Sequence, residues 1–184
     1  MKKLIAVFVF TMMITALSMV SFAEGQYENT KVNEALKSFM LSKNSKLTAQ
    51  EADNVMRSIE NASNAYGVEK DLITAMIWKE SNFNLLLAYN RCIGPMQIHE
   101  NTGKRGGLSK EDLYNSDKNI HFGTRYLANH IRSYGDVGKA LSAYNQGSTR
   151  VNSGSYSKKY EESVLARQAT VKAYINSYIY NSQN

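Results

Sequence analysis

Cysteine, proline and tryptophan each occur once in this 184-residue chain, and histidine three times. A single cysteine, Cys92, excludes an intramolecular disulfide framework, so stability has to come from packing. The histidines (His99, His121, His130) do not fall at the i, i+4 spacing of helical metal ligands, and there is no HExxH run. With so few soft ligands a zinc site has no support, and no cofactor is implied. A nucleophilic pair of Cys92 with His121 or His130 lacks any local signature, so Cys92 reads as a half-buried loop cysteine. Clustered charge is also missing: 22 Lys and Arg stand against 16 Asp and Glu, scattered along the chain for a net +6. No nucleic-acid groove is expected from that distribution, whereas mild basicity suits an anionic cell envelope.

One long apolar run is present, from Leu4 to Val20, behind Lys2 and Lys3 and ahead of Ser21-Phe22-Ala23. This order predicts a secretory signal over residues 1–23, cleaved after Ala23, because no charged stop-transfer flank follows. A lipoprotein signal would need a cysteine near the cut. Removing 23 of the 184 residues leaves 161 and lowers the charge to +4. That is one domain's worth of chain, with no stable membrane anchor, expected in the cell wall, outside the cell or in the periplasm.

The rest of the chain has helical periodicity. Val32, Ala35, Leu36, Phe39 and Met40 form one stripe. Thr48-Ala49-Gln50-Glu51 is a capping-box pattern opening a second helix, with Ala52, Val55, Met56, Ile59, Ser63 and Tyr66 on one face and Gly67 as its stop. A third helix starts near Lys70. Residues 82–116 lose periodicity and read as a long shaped loop holding the lone proline, Pro95. Period resumes near Asp117 (Ile120, Thr124, Leu127, Ile131, Tyr134) and stops at Gly135; Asp136 caps a helix bearing Val137, Ala140, Leu141 and Tyr144. Residues 148–157 read as loop. A last helix carries Tyr160, Val164, Leu165, Val171, Ile175 and Ile179, with some β propensity from Ile175 to Tyr180. The expected fold is an all-α domain with one elaborate loop.

Within the third helix, Glu80 continues the stripe of Ile73, Met76 and Ile77. Burial there disfavours the charged carboxylate, and the last helical turn adds partial negative charge from unsatisfied carbonyls. Both favour a protonated acid, the state a general acid needs.

The run KESNFN around Glu80, then GPMQI (94–98), then SAYNQG (142–147), resembles the bacterial lytic transglycosylases with the soluble-lytic-transglycosylase domain. NIHFGTRYL (119–127) is similar to that family's helix between the second and third motifs, and the likeness covers roughly residues 66–178. The resemblance implies a lysozyme-like helical domain whose long irregular loop region forms a glycan-binding cleft. It also implies Glu80 as single catalytic acid/base and Ser81 beside it supporting the geometry. Met96 and Gln97 would line the cleft, the Gln97 amide facing an N-acetyl group, with Tyr144 and Asn145 across from them. Tyr160 is similar to a family tyrosine whose hydroxyl reaches the catalytic carboxyl. The implied reaction cleaves the β-1,4 bond between N-acetylmuramic acid and N-acetylglucosamine with formation of a 1,6-anhydro end. Implied partners are the glycan strands of peptidoglycan and an envelope or secretion-machinery protein.

Goose-type lysozymes share the first two motifs but hydrolyse, and they carry extra aspartates there. Residues 82–98 contain no acid, which favours transglycosylation. Two alternatives stay open: a muramidase using Glu80 with Glu100 or a bound water, and a retired glycan-binding or assembly protein on the same scaffold. Pro95, Leu85-Leu86-Leu87 and Arg91-Cys92 depart from the family pattern and bear on specificity. The expected organisation is a signal over 1–23, an N-terminal helical segment over 24–65 packing on the domain, and a lysozyme-like domain over 66–184.

Overall fold

The computed structural model describes residues 25–184, so the signal expected over 1–23 and its cut after Ala23 lie outside the described residues. The first helix, α1, covers 25–43 of these and turns Ala35, Leu36, Phe39 and Met40 fully inward. Helix α2 (Ala49–Tyr66) begins at the Thr48 capping box: the Thr48 side chain accepts from the Glu51 N–H, and the Glu51 side chain accepts from the Thr48 N–H. It ends at Gly67, whose φ of 68° only glycine adopts without strain. Helix α3 (Lys70–Ser81) follows, burying Leu72, Ile73, Ala75, Met76 and Ile77.

The stretch over 82–116, expected to be irregular, contains short elements. Strands β1 (Ala88–Tyr89), β2 (Cys92–Ile93) and β3 (Ile98–His99) pair antiparallel in that order, Tyr89 opposite Cys92 and Cys92 opposite His99. Two residues per strand leave no alternation for a sequence pattern to display. Helices α4 (Glu100–Arg105) and α5 (Lys110–Tyr114) complete the region. A second capping box opens α5, Ser109 with Asp112, using an aspartate where the usual pattern has Glu or Gln.

Helix α6 (Ser116–Tyr134) stops at Gly135, and α7 (Val137–Gln146) is capped by Asp136, whose side chain accepts from the Lys139 N–H at 2.6 Å. The expected loop at 148–157 opens with a short helix, α8 (Ser148–Asn152). The final helix, α9 (Lys159–Gln183), runs unbroken through Ile175 to Tyr180, so helical packing overrides the local β propensity there. Leu165, expected on its inner stripe, is exposed instead.

Helix α3 lies against α9, α2 against α6, and α7 bridges α6 and α9. Burial of side chains such as Leu36, Ile59, Ile73 and Ile120 stabilises this packing by about 1.5–3 kcal/mol each. Phe39 sits at an aromatic junction, edge-on to Trp78 (5.2 Å), Tyr174 (5.3 Å) and Phe83 (6.4 Å). Among the described residues no helix is long and apolar enough to cross a membrane.

Candidate active site

The end of α3, the small sheet, α4 and the end of α7 enclose an open cleft of about 590 Å³. Glu80 reaches it from the last turn of α3. Two consecutive left-handed residues follow, Asn82 (φ 50°) and Phe83 (φ 58°), which turn the chain sharply and send Phe83 back into the core. The turn is braced from the α1–α2 connection: Asn44 donates to the Phe83 carbonyl (3.1 Å) and Asn82 donates to the Lys43 carbonyl (3.2 Å).

Burial raises the Glu80 pKa above the ordinary carboxyl value. The hydrogen bond from Tyr160 and the nearby Lys79 charge oppose that shift without overcoming it. Tyr160, the second residue of α9, donates its hydroxyl to Glu80 Oε1 at 2.5 Å. Its own ionisation is pushed far up by burial and by the Glu80 carboxylate, so it stays a donor. Tyr144 stacks on Tyr160 with ring centroids 6.5 Å apart and donates to the Met96 carbonyl at 2.9 Å. Tyr126, on α6, packs on the far side of Tyr144 at 5.5 Å.

Glu80, Gln97, Tyr144 and Asn145 thus line one cleft, and Tyr160 lies behind Glu80. Two residues expected at the site take different places. The Met96 side chain is fully buried rather than on the cleft wall; it packs so closely on Gly123 that a Cβ there would come within 2.5 Å of its sulfur. Its backbone carbonyl is what meets a cleft residue, accepting the Tyr144 hydroxyl. Ser81 faces away from the cleft and returns its hydroxyl to the Ile77 carbonyl (3.1 Å), closing the last turn of α3. Gln97 keeps its place with a changed polarity. Its amide nitrogen donates to the Leu87 (3.0 Å) and Gly94 (2.9 Å) carbonyls, which leaves its carbonyl oxygen as the free face.

Glu100 is not among the lining residues. Its carboxylate is paired with Arg91 (3.3 Å) and Lys110 (3.1 Å), and these bonds hold its pKa below the ordinary value. Glu80 is therefore the only acid among the described residues that line the cleft. Cys92 also lines it, and burial followed by the Glu80 charge raises its thiol pKa, leaving it a poor nucleophile. His99 and Arg105 add basic groups outside the quoted motifs, and Lys79, the first residue of KESNFN, adds another. Tyr126 and Asn119 were within reach, since both lie in the quoted run 119–127. The described residues contain no cluster of three or more His, Cys, Asp or Glu able to hold a metal.

Chemically, the site offers a carboxyl biased towards protonation, a phenol that keeps it oriented, and an open trough with acceptors and aromatic faces. Such a trough suits a sugar polymer, whose hydroxyls need polar partners and whose ring faces pack on aromatics.

The signature of the transglycosylase SLT domain matches residues 57–165. The chain is 30% identical over 109 residues to a transglycosylase of Enterobacteria phage PRD1, covering 59% of this chain and 40% of the phage protein. It is 34% identical over 87 residues to membrane-bound lytic murein transglycosylase C of Edwardsiella ictaluri, covering 42% and 24% of the two chains. To endo-type membrane-bound lytic murein transglycosylase A of Cronobacter sakazakii it is 35% identical over 95 residues, covering 46% and 47%. The chain therefore spans less than half the length of each of these relatives. Among solved structures it resembles an inactive mutant of the lytic transglycosylase Slt from Pseudomonas aeruginosa, with a TM-score of 0.56 and 19% identity over 65% of this chain and 24% of that one. At that identity the likeness speaks for a shared lysozyme-like helical fold. A sequence signature covering more than half of the chain, carried on that fold, makes this chain a member of the transglycosylase SLT domain family.

Proposed function

We propose that this protein is an exported lytic transglycosylase that cuts the glycan strands of peptidoglycan between N-acetylmuramic acid and N-acetylglucosamine. The observation that carries the reading is the pairing of one partly buried, raised-pKa carboxyl on the cleft wall, Glu80, with the Tyr160 hydroxyl behind it, and no second acid among the described residues that line the cleft.

Protonated Glu80 donates its proton to the glycosidic oxygen, and the bond from that oxygen to the anomeric carbon breaks. Positive charge develops on the muramic acid ring. A retaining or inverting glycosidase would need a second carboxylate at this point, as nucleophile or to activate water. Here the ring's own C6 hydroxyl attacks the anomeric carbon while the Glu80 carboxylate takes its proton. A 1,6-anhydro end forms, Glu80 is again protonated, and no water is consumed. Intramolecular attack has a high effective molarity, so nothing needs to hold a water in place. Tyr160 steers the carboxyl in both steps. With its amide nitrogen committed to the Leu87 and Gly94 carbonyls, Gln97 would use its carbonyl oxygen as the acceptor for an N-acetyl N–H. Residues 66–184 supply this chemistry on our reading, with 24–65 as the helical segment buttressing it.

The test is digestion of isolated peptidoglycan by the protein and by its Glu80→Gln variant, with products weighed by mass spectrometry. Fragments one water lighter than hydrolytic products, absent with the variant, are expected. Full-mass reducing ends would make the protein a muramidase, and no release at all would point to a glycan-binding role.

A further inference from the structure

Tyr160 reaches Glu80 from a poorly secured stretch of backbone. It is the second residue of α9, and the N-cap residue of that helix, Lys158, makes no side-chain bond to the open N–H groups of the first turn. Ser157 substitutes in part, its hydroxyl accepting from the Lys159 N–H at 3.3 Å. A helix start of this kind frays unless something outside the helix holds it.

That hold comes from α7. Gly138, Ser142 and Gln146 are spaced by four and share one face of that helix. The half-buried Gln146 pairs with both polar groups of the Ser157 backbone. Its amide nitrogen donates to the Ser157 carbonyl (2.7 Å), and its side-chain carbonyl accepts from the Ser157 N–H (2.9 Å). One turn back, the fully buried Ser142 donates its hydroxyl to Oε2 of Glu161 at 2.6 Å. Glu161 is itself buried, and its other oxygen is 3.9 Å from the Lys158 ammonium. A further turn back, Gly138 lies against the same carboxyl, where a Cβ would stand 3.4 Å from it. The contacts at 157 and 161 flank Tyr160, and Tyr144 of the same helix stacks on its ring.

We propose that Gln146 and Glu161 are positioning residues of the acid: they clamp the first turn of α9 to α7 and so hold the Tyr160 hydroxyl on Glu80. This role deepens, and rests on, the proposed part of Glu80 as acid/base. Neither residue lines the cleft, so their effect passes through Tyr160. Sliding α9 by one residue would leave a buried hydroxyl and a buried carboxyl without partners, so the Ser142–Glu161 pair specifies register more than it adds net stability.

The experiment reads Glu80 itself, by carboxyl NMR of the labelled protein against pH, with the resonance assigned by its loss in Glu80→Gln. Lys79, Cys92, Tyr144 and Tyr160, the titratable groups that act on Glu80 or feel its charge, are kept in the clamp variants. Tyr160→Phe should move the Glu80 midpoint upward, since it removes a hydrogen bond that lowers it. Gln146→Ala and Glu161→Ala should move it in the same direction by less. Glu161→Gln still accepts from Ser142 and should keep most of the wild-type behaviour. In a Tyr160→Phe background neither alanine substitution should add a further shift. On peptidoglycan, Gln146→Ala should lower the maximal rate about tenfold while leaving the half-saturating amount of substrate unchanged.

A wild-type midpoint in either folded alanine variant, with or without a fall in melting temperature, overturns the clamp. So does an equal shift in the Tyr160→Phe background, which would route the effect past Tyr160. Gln146 is half-buried, and its variant decides the question should Glu161→Ala not fold. Because the titration needs no turnover, a wild-type protein that releases no fragments would overturn the proposed activity while the midpoints still decide the clamp.

Discussion

Asn119 of α6 holds the backbone of Met96. Its side-chain oxygen accepts from the Met96 N–H at 2.9 Å, and its nitrogen donates to the Ile93 (2.8 Å) and Leu113 (2.9 Å) carbonyls. One fully buried amide thus ties the sheet, the turn carrying Gln97, and α5 to a long helix.

Replacing Asn119 by alanine removes three buried hydrogen bonds and leaves their backbone partners unsatisfied. The expected cost is about 3 kcal/mol of stability. Denaturant unfolding of N119A against the wild type measures it, and a loss below about 1 kcal/mol would contradict this role.

Tyr160→Phe removes the hydrogen bond that lowers the Glu80 pKa, leaving burial less opposed. Glu80 should then hold its proton to higher pH. The alkaline limb of the activity profile is expected to shift upward, together with a lower maximal rate from the less well oriented carboxyl. A limb that stays put or moves down would show that Tyr160 does not act through Glu80.

Stability carries the same signature. Because the folded-state pKa of Glu80 is raised, the native protein binds this proton more tightly than the unfolded chain does. The contribution is fully present below the ordinary carboxyl value and is lost as pH rises through the raised value. Glu80→Gln cannot ionise, so its melting temperature should match the wild type in acid and exceed it at mildly alkaline pH. Melts of both proteins across that range check this, and a constant offset would argue against a buried, titrating Glu80.

Glu100→Gln separates the two chemistries. With Glu100 committed to Arg91 and Lys110 at the cleft's edge, the variant should keep its product masses and its rate to within roughly threefold. A large loss of activity, with full-mass reducing ends from the wild type, would make Glu100 the second acid of a hydrolase.

The helical frame was legible because its signals are local. Stripes such as Ala52–Val55–Met56–Ile59, the Thr48 capping box and the Gly67 and Gly135 stops each need only a few neighbouring residues to act. The wall of the cleft was not legible in this way. Its strands are two residues long, and its conformation depends on Asn119 and on left-handed residues such as Gln97 (φ 46°) that no periodicity announces. Motifs marked which stretches gather at the cleft but not which way each side chain turns. Met96 and Ser81 differ from expectation for that reason: one is needed to fill the space over Gly123, and the other to satisfy a helix carbonyl. Gln97 has the residue identity expected of a cleft group, yet its donors are taken by the Leu87 and Gly94 carbonyls.

The bracing of the Asn82–Phe83 turn by Lys43 and Asn44 has a consequence for where this protein can be shortened. The family signature begins at residue 57, inside α2, and ends at 165, inside α9. The residues outside those limits include Leu36, Phe39, Met40, Val55, Val171 and Ile175, which fill the space behind α3 or pack on its partners. A fragment trimmed to the recurring sequence would keep Glu80 and its motifs while exposing the apolar back of the helix that presents it. The unit recognisable across relatives is therefore smaller than the packed unit that surrounds Glu80, and a fragment meant to keep the cleft intact has to include α1 and the whole of α9.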